Sequence, residues 1–285
     1  MDRGQLDSLL TLWLQEDVQT GDVTSSSLFE NDLKADAEIL FKQDGLVCGL
    51  DLVHRLYERV DPTLEWDAMI AESASVAAGD VVARFRGAAA SVMVPERLAL
   101  NLLGHLSGVA TLAQAYRKAV EGFDVDLVDT RKTLPGLRSL EKYATRVGGW
   151  VNHRMGLHDL VLIKDNHLAA LKASGIQDPM ERALHLTRDL GMCRQIEVQT
   201  EEEAAYAARL GAEMILLDNM SLDQLARSVE RARKENPKVL LEASGRVSLE
   251  TVRAVASSGV DRISVGSVTH SAPSLDVSLE VIFRG

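Results

Sequence analysis

The chain has 285 residues, of which 46% are hydrophobic and 26% charged, and a formal net charge of −11. This is globular usage with enough apolar side chain for a sizeable core, which excludes disorder and collagen-like repeats. The acidic balance argues against a surface for nucleic acid or an anionic membrane, because both need a broad positive field.

Residues 4 to 16 place Leu6, Leu9, Leu10, Trp13 and Leu14 at helical spacing, and EDVQTGDVTS then reads as a loop. Ala37 to Phe41 and Val81 to Phe85 are strand-like, and Leu50 to Val60 follows a helical period, so a small α+β unit is expected. From Pro95 a long helix carries Leu98, Leu102, Leu106, Val109 and Leu112 as an apolar stripe and is expected to join two parts. Beyond it, short apolar runs end in polar residues: VDLVDTRK, LVLIKDNH, QIEVQTEEE, MILLDNMS, VLLEASGR and RISVGSVTH. Helical segments near 201 to 210, 221 to 235 and 248 to 257 separate the later runs.

Near-continuous apolar strands alternating with amphipathic helices predict a parallel sheet covered on its outer face, closed or nearly closed into a barrel. SLDVSLEVIF alternates like a half-buried strand and is expected to return to the N-terminal sheet. The expected division is an α+β domain over 1–110, joined by 271–285, and an α/β barrel over 111–270. Cys48 and Cys193 have no disulfide or zinc spacing. The N-terminus lacks a signal-type apolar core, and no segment approaches the roughly 20 apolar residues of a membrane span. A cytoplasmic protein is expected.

The polar residues that end the strands belong to the edge where α/β barrels build their sites, so Asp129, Lys164, Glu197, Asp218, Ser244 and Gly266 are expected to ring one mouth. Residues 131 to 167 hold seven Lys/Arg against three Asp/Glu, a surplus of +4 in an acidic chain. Such a patch suits a compact polyanion, with Arg131 and Arg154 offering forks and Lys132 and Lys164 point charges. Lys164 is either such a contact or a desolvated nucleophile, and the cations around it favour the contact. Arg138, Lys142 and Arg146 are expected in solvent. Glu197 and Asp218 suggest Mg²⁺ ligands or stabilisers of a cationic transition state. Ser244, Gly245, Gly266 and Ser267 suit backbone wrapping of a phosphate, and His270 stands ready to donate to it. His54, His105 and His185 fall in helical patterns and are taken as structural or exposed, while His158 and His167 have no assigned part.

The block TRKTLPGLRSLEKYATRVGGWVNHRMGLHDLVLIKDNH, preceded by PERLALNLLGHLSGVAT and followed by EVQT, LLDNM, EASG and ISVGSVTHS, closely resembles the quinolinate phosphoribosyltransferase family. The likeness covers nearly the whole chain, including EDVQTGDVTS. It implies a type II phosphoribosyltransferase fold, an α/β N-terminal domain and an incomplete α/β barrel, assembled as a homodimer. The implied reaction joins quinolinate and phosphoribosyl pyrophosphate to give nicotinate mononucleotide, pyrophosphate and CO₂, with Mg²⁺, in the de novo route to NAD. Matched by motif, Arg131, His153, Arg154 and Lys164 are implied to bind quinolinate, with Arg97 added from the partner subunit. Lys132, Lys164 and His270 are implied contacts of the second substrate's phosphates. Glu197 and Asp218 match the acidic pair near ribose and metal, and Ser244, Gly245, Gly266 and Ser267 the 5′-phosphate loops; Lys132, Lys164, Glu197 and Asp218 form the implied catalytic set. Two positions depart from the pattern: Trp150 replaces a usual third Gly before NHR and is expected to reshape the loop presenting His153, and Arg246 follows EASG where Gly is common. The alternatives are a related phosphoribosyltransferase for nicotinate or another ring acid, a Schiff-base aldolase on Lys164, and a non-catalytic anion-binding protein.

Overall fold

Alternate burial sets the first sheet. Strand β1 (Lys34–Phe41) buries Ala35, Ala37, Ile39 and Phe41 and leaves the residues between them more open. The further strands of this region are β2 (Gly45–Leu46), β3 (Glu65–Ala68), β4 (Ser75–Val76) and β5 (Val81–Ala88). β1 lies between β5 and the C-terminal strand Val277–Arg284, both antiparallel to it, and β3 pairs with the far side of β5. The expected return of the C-terminal segment is present over its full length, from Lys34 against Arg284 to Phe41 against Val277.

The computed structural model describes residues 3–29 and 33–284. It divides into two compact units: Met1–Leu112, Ser139–Gly148 and Ser271–Gly285 form one, and Ala113–Arg138 with Gly149–His270 form the other. Most of helix Arg138–Val147, expected with the barrel, groups instead with the first unit. Two polar contacts account for this. The Tyr143 hydroxyl donates to Glu72 at 2.8 Å, and His105 Nε2 lies 3.0 Å from Glu141. Lys142, expected in solvent, is buried on the same helix with 1% exposure. Glu72 also caps helix Leu50–Val60, whose N-cap Gly49 has no side chain of its own; its two oxygens accept from the Gly49 and Leu50 amides at 2.7 and 2.9 Å.

Helix Glu96–Ala119 spans the point where the division falls, and its apolar stripe is core: Ala99, Leu103, Leu106, Val109, Ala110 and Ala113 are buried. The segment Ala89–Ala119 is long and apolar enough to cross a membrane by length and composition, with a mean hydropathy of 1.2 over its most apolar stretch, yet 61% of that stretch is buried inside the molecule. Two of the helix glycines admit backbone at close range. A Cβ on Gly104 would stand 2.7 Å from the Leu275 carbonyl oxygen, and one on Gly108 would overlap the Pro273 carbonyl.

The second unit is built on β6 (Asp126–Val128), β7 (Val161–Ile163), β8 (Arg194–Val198), β9 (Met214–Asp218), β10 (Leu240–Ser244) and β11 (Arg262–Ser264). These strands are parallel in the order β6-β11-β10-β9-β8-β7. Beyond β6 there is one parallel bridge, Val128 to Val151, which gives an incomplete α/β barrel. Directly paired residues share a face. One face carries Leu127, Ile163, Ile196, Ile215, Leu217, Leu241, Ala243 and Ile263 and is apolar but for Arg194 at the start of β8. The other carries Gln195, Glu197, Asp218, Glu242, Ser244 and Ser264 among its leucines. Helices Glu201–Arg209 and Leu222–Glu235 bury Ala204, Ala207, Leu225, Val229 and Ala232, as covers of an apolar sheet face must. Capping boxes at Thr200 with Glu203, and at Ser221 with Gln224, fix where the two helices start.

Gly108→Ala is expected to lower stability by about 2 kcal/mol or more, because the added methyl meets backbone rather than a flexible side chain. Chemical denaturation measures it, and an unchanged midpoint would show that Pro273 yields without cost.

Candidate active site

Strand register brings the expected residues of the second unit to one edge. Ile163 of β7 pairs with Ile196 of β8, so the next residues, Lys164 and Glu197, meet as neighbours. Lys164 Nζ donates to Glu197 Oε2 at 2.6 Å; the lysine side chain is 45% exposed and the glutamate 8%. An ammonium tied to a carboxylate presents its remaining N–H groups to an anion, whereas a Schiff-base nucleophile needs the neutral amine. On β9 and β10, Asp218 pairs with Ser244. The Asp218 carboxylate accepts from the Asn219 side-chain amide at 2.6 Å, and the Asn219 backbone N–H donates to the Ser244 carbonyl at 2.9 Å. Gly245 turns at φ +103, and any Cβ there would collide with the Asn219 side chain, so the turn after β10 requires glycine on two counts.

The β6 and β11 ends are clasped together. Lys132 N–H donates to Thr130 Oγ1 at 2.9 Å, and the Thr269 hydroxyl donates to the Lys132 carbonyl at 2.7 Å. The Lys132 side chain lies over Gly266, where an added Cβ would come within 2.8 Å of Lys132 Cδ. Ser267 starts the single turn Ser267–His270, and His270 ends it exposed.

Arg131 and Arg154 are the charged feature of this edge. Arg131 Nε is buried and has no hydrogen-bond partner. Burial, and after it the positive charge of Arg131, push the Arg154 guanidinium below its usual pKa, which marks the two side chains as electrostatic neighbours. One Arg154 Nη donates to the Leu160 carbonyl at 3.2 Å. Neighbouring guanidinium groups with an unsatisfied buried N–H are costly in isolation, and an anion seated between them offsets both costs.

His153, implied by the resemblance to bind quinolinate, has a partner at each ring nitrogen. Its Nδ1 accepts from the Arg154 backbone N–H at 2.7 Å. Its Nε2 lies 3.1 Å from Gln195 Oε1 and 3.4 Å from Glu242 Oε2, with the side chain only 9% exposed. Buried Asp129 fixes the backbone beside it, accepting from the His153 N–H at 2.9 Å and from the Asn152 side chain. Gln195 and Glu242 were not among the sequence candidates. Their signal was a polar residue inside the apolar runs QIEV and LLEAS, on the inner face of the register.

Trp150, expected to reshape the loop that presents His153, is a core residue. It is buried, donates from Nε1 to the Ala113 carbonyl at 2.8 Å, and meets Tyr116 edge-on at 5.8 Å. Arg246 is exposed and takes φ +47, the left-handed conformation that explains why glycine suits this position. Arg97 belongs to the first unit, where it stands exposed, 3.8 Å from Glu96. With Asp17, Gly21 and Asp22 of the EDVQTGDVTS loop it lines a cavity of about 370 Å³.

Among the described residues, no three His, Cys, Asp or Glu side chains are arranged to hold a metal ion. Mg²⁺ commonly takes one or two carboxylates and completes its shell with substrate phosphates and water, so Glu197 and Asp218 on adjacent strands fit it.

Comparison with known proteins adds a family. The pattern described as "Quinolinate phosphoribosyl transferase, C-terminal domain" matches residues 109–280, and the corresponding N-terminal domain matches 22–107. A protein of Synechocystis named "Probable nicotinate-nucleotide pyrophosphorylase [carboxylating]" is 38% identical over 97% of this chain and 92% of its own length. A Mycobacterium leprae protein named "Nicotinate-nucleotide pyrophosphorylase [carboxylating]" is 36% identical over 94% of each. Among solved structures, NadC from Streptococcus pyogenes superposes with a TM-score of 0.91 at 33% identity, over 100% of this chain and 99% of that one. Human nicotinic acid phosphoribosyltransferase, at 16% identity over 99% of this chain and 74% of its own, shares the fold with a TM-score of 0.62.

Trp150→Gly, which restores the usual third glycine, is expected to cost about 4 kcal/mol in a urea titration, since a buried indole and its hydrogen bond are lost together. Turnover of the folded fraction at low temperature should persist. A variant as stable as the parent would return Trp150 to the loop rather than the core.

Proposed function

Because this chain belongs to the quinolinate phosphoribosyltransferase family, it is a phosphoribosyl-transferring enzyme, and we propose that its reaction takes place at the strand-end rim of the six-stranded barrel. The enzyme transfers the phosphoribosyl group of phosphoribosyl pyrophosphate to quinolinate, with loss of CO₂, to give nicotinate mononucleotide. The observation that carries the site is the buried, unpartnered Arg131 Nε beside Arg154. A ring diacid supplies two carboxylates, and two guanidinium groups answer them as planar forks. A monoacid such as nicotinate would leave one of them facing nothing, so quinolinate is favoured over a single-carboxylate acceptor.

Phosphoribosyl pyrophosphate carries the remaining charge. Lys132, folded over Gly266, and His270 beside it lie where its phosphates would be met, and Ser244, Gly245, Gly266 and Ser267 offer backbone N–H groups to the 5′-phosphate. When pyrophosphate departs, positive charge develops on the ribose. Glu197 and Asp218 are fixed before the event, one by Lys164 and the other by Asn219, and so stabilise that charge without reorganising. Magnesium, held by the same two carboxylates and the substrate's phosphates, would neutralise the leaving group. The ring nitrogen forms the new bond to ribose C1 and becomes a pyridinium. That ring accepts the electron pair left when the adjacent carboxylate leaves as CO₂, and the carbon then takes a proton.

Arg97 lies in the other unit, and a homodimer in which each subunit lends Arg97 to its partner's rim is in keeping with its exposed position. Unpaired Cys48 and Cys193 suit a reducing cytoplasm.

Release of labelled CO₂ from carboxyl-labelled quinolinate, dependent on phosphoribosyl pyrophosphate, is the assay. Lys164→Ala and Arg131→Ala are each expected to lose about 100-fold or more of turnover while keeping the fold, as removal of a preorganised charge does. Near-parental turnover in either variant would overturn the site. For the shared arrangement, mixing inactive Arg97→Ala with inactive Lys164→Ala should restore part of the activity through subunit exchange, because one site of each mixed dimer is intact; no recovery would place Arg97 elsewhere.

A further inference from the structure

We propose that Glu242, acting through Gln195, is a positioning residue that sets the polarity of an interior hydrogen-bond array and thereby aims Arg154 at the ring acid. Glu242 sits in the middle of β10 on the inner face, with 1% exposure. Its Oε2 accepts from Gln195 Nε2 at 3.0 Å and stands 3.4 Å from His153 Nε2, while its Oε1 has no hydrogen-bond partner. Neither cross-strand neighbour satisfies the carboxylate. The residues paired with it, sharing its face, are buried Leu216 on β9 and Arg262 on β11, and the Arg262 guanidinium lies 3.8 Å from Asp126 instead. A half-satisfied buried carboxylate is a position where an apolar side chain of similar size would be at least as stable.

What the carboxylate does is dictate direction. It can only accept, so it draws the NH₂ of Gln195 toward itself and turns the Gln195 carbonyl to His153. That carbonyl selects the imidazole tautomer with its proton on Nε2. Nδ1 is left as an acceptor, and the Arg154 backbone N–H donates to it at 2.7 Å. The array therefore runs one way, from Glu242 through Gln195 and His153 to the Arg154 amide. The guanidinium of Arg154 extends from that fixed amide to its place near Arg131. An amide at position 242 has both a donor and an acceptor end, so it permits the reverse order. The Nδ1–H tautomer would then face the Arg154 N–H, and the two would repel.

The inference rests on the proposal that Arg131 and Arg154 take the carboxylates of quinolinate, and the test separates the two. Glu242→Gln keeps shape and removes the directing charge; it is expected to raise KM for quinolinate about tenfold, with kcat and KM for phosphoribosyl pyrophosphate nearly unchanged, as a small misplacement of one binding group does. Its melting temperature should not fall. In ¹⁵N-histidine spectra, with His153→Asn supplying the assignment, the parent should show a protonated Nε2 and a bare Nδ1, and Glu242→Gln a mixture. Should Glu242→Gln fail to fold, Gln195→Met puts the same question by removing the acceptor that faces His153. Arg154→Gln is the control. If it leaves KM for quinolinate unchanged, the carboxylate assignment fails whatever Glu242 does. If it raises that KM while the folded Glu242→Gln enzyme matches the parent in KM and tautomer, the positioning inference alone is overturned. An equal rise in both substrates' KM values would also overturn it.

Discussion

Two guanidinium groups held near one another in partial burial repel, and much of the second unit is arranged around keeping them there. Arg131 lies three residues beyond the end of β6 and Arg154 three beyond the bridge at Val151, so paired strand residues anchor the short segments that carry them. Buried Asp129 ties the chain between them by accepting from the His153 amide and the Asn152 side chain. The scaffold contributes rigidity and leaves the remaining electrostatic imbalance for a dianionic substrate to offset.

The barrel tolerates this because its two sheet faces have separate duties. The outer face, from Leu127 to Ile263, is apolar apart from Arg194 at the start of β8 and supports the helices. The inner face trades apolar packing for Gln195, Glu197, Glu242 and Ser244, with Gln195 and Glu242 inside their strands and Glu197 and Ser244 at or next to the strand ends. Stability is drawn from one side of each strand and chemistry from the other, so a residue and its sequence neighbour answer to different pressures.

Much of this was legible from periodicity. All six strands fall inside the apolar runs save for Arg194, which opens β8, and the return of residues 277 to 284 was readable from their alternation. The meeting of Lys164 with Glu197 follows from strand ends that had already been singled out. What escaped depends on partners distant in sequence. A run such as LLEAS reads as continuous apolar strand, and Glu242 becomes meaningful only when Gln195 and His153 are brought against it from two other segments. Lys142 looks like a surface cation within SLEKYA, yet Tyr143 finds Glu72 and His105 finds Glu141, and the helix is drawn into the first unit with its lysine buried. Trp150 reads as a disturbance of a glycine run because a sequence motif does not show that Ala113 and Tyr116 form a slot for it.

The pairing of β1 with residues 277 to 284 has a bearing on how the chain is made. β1 is encoded before the barrel strands, but the strand on one of its sides is encoded after them. Until then an eight-residue strand with a buried apolar face presents an open edge, the kind of surface that recruits other chains. Closure of the first sheet therefore waits on a segment made after the barrel strands, and until it pairs, the edge of β1 is a place where nascent chains can associate.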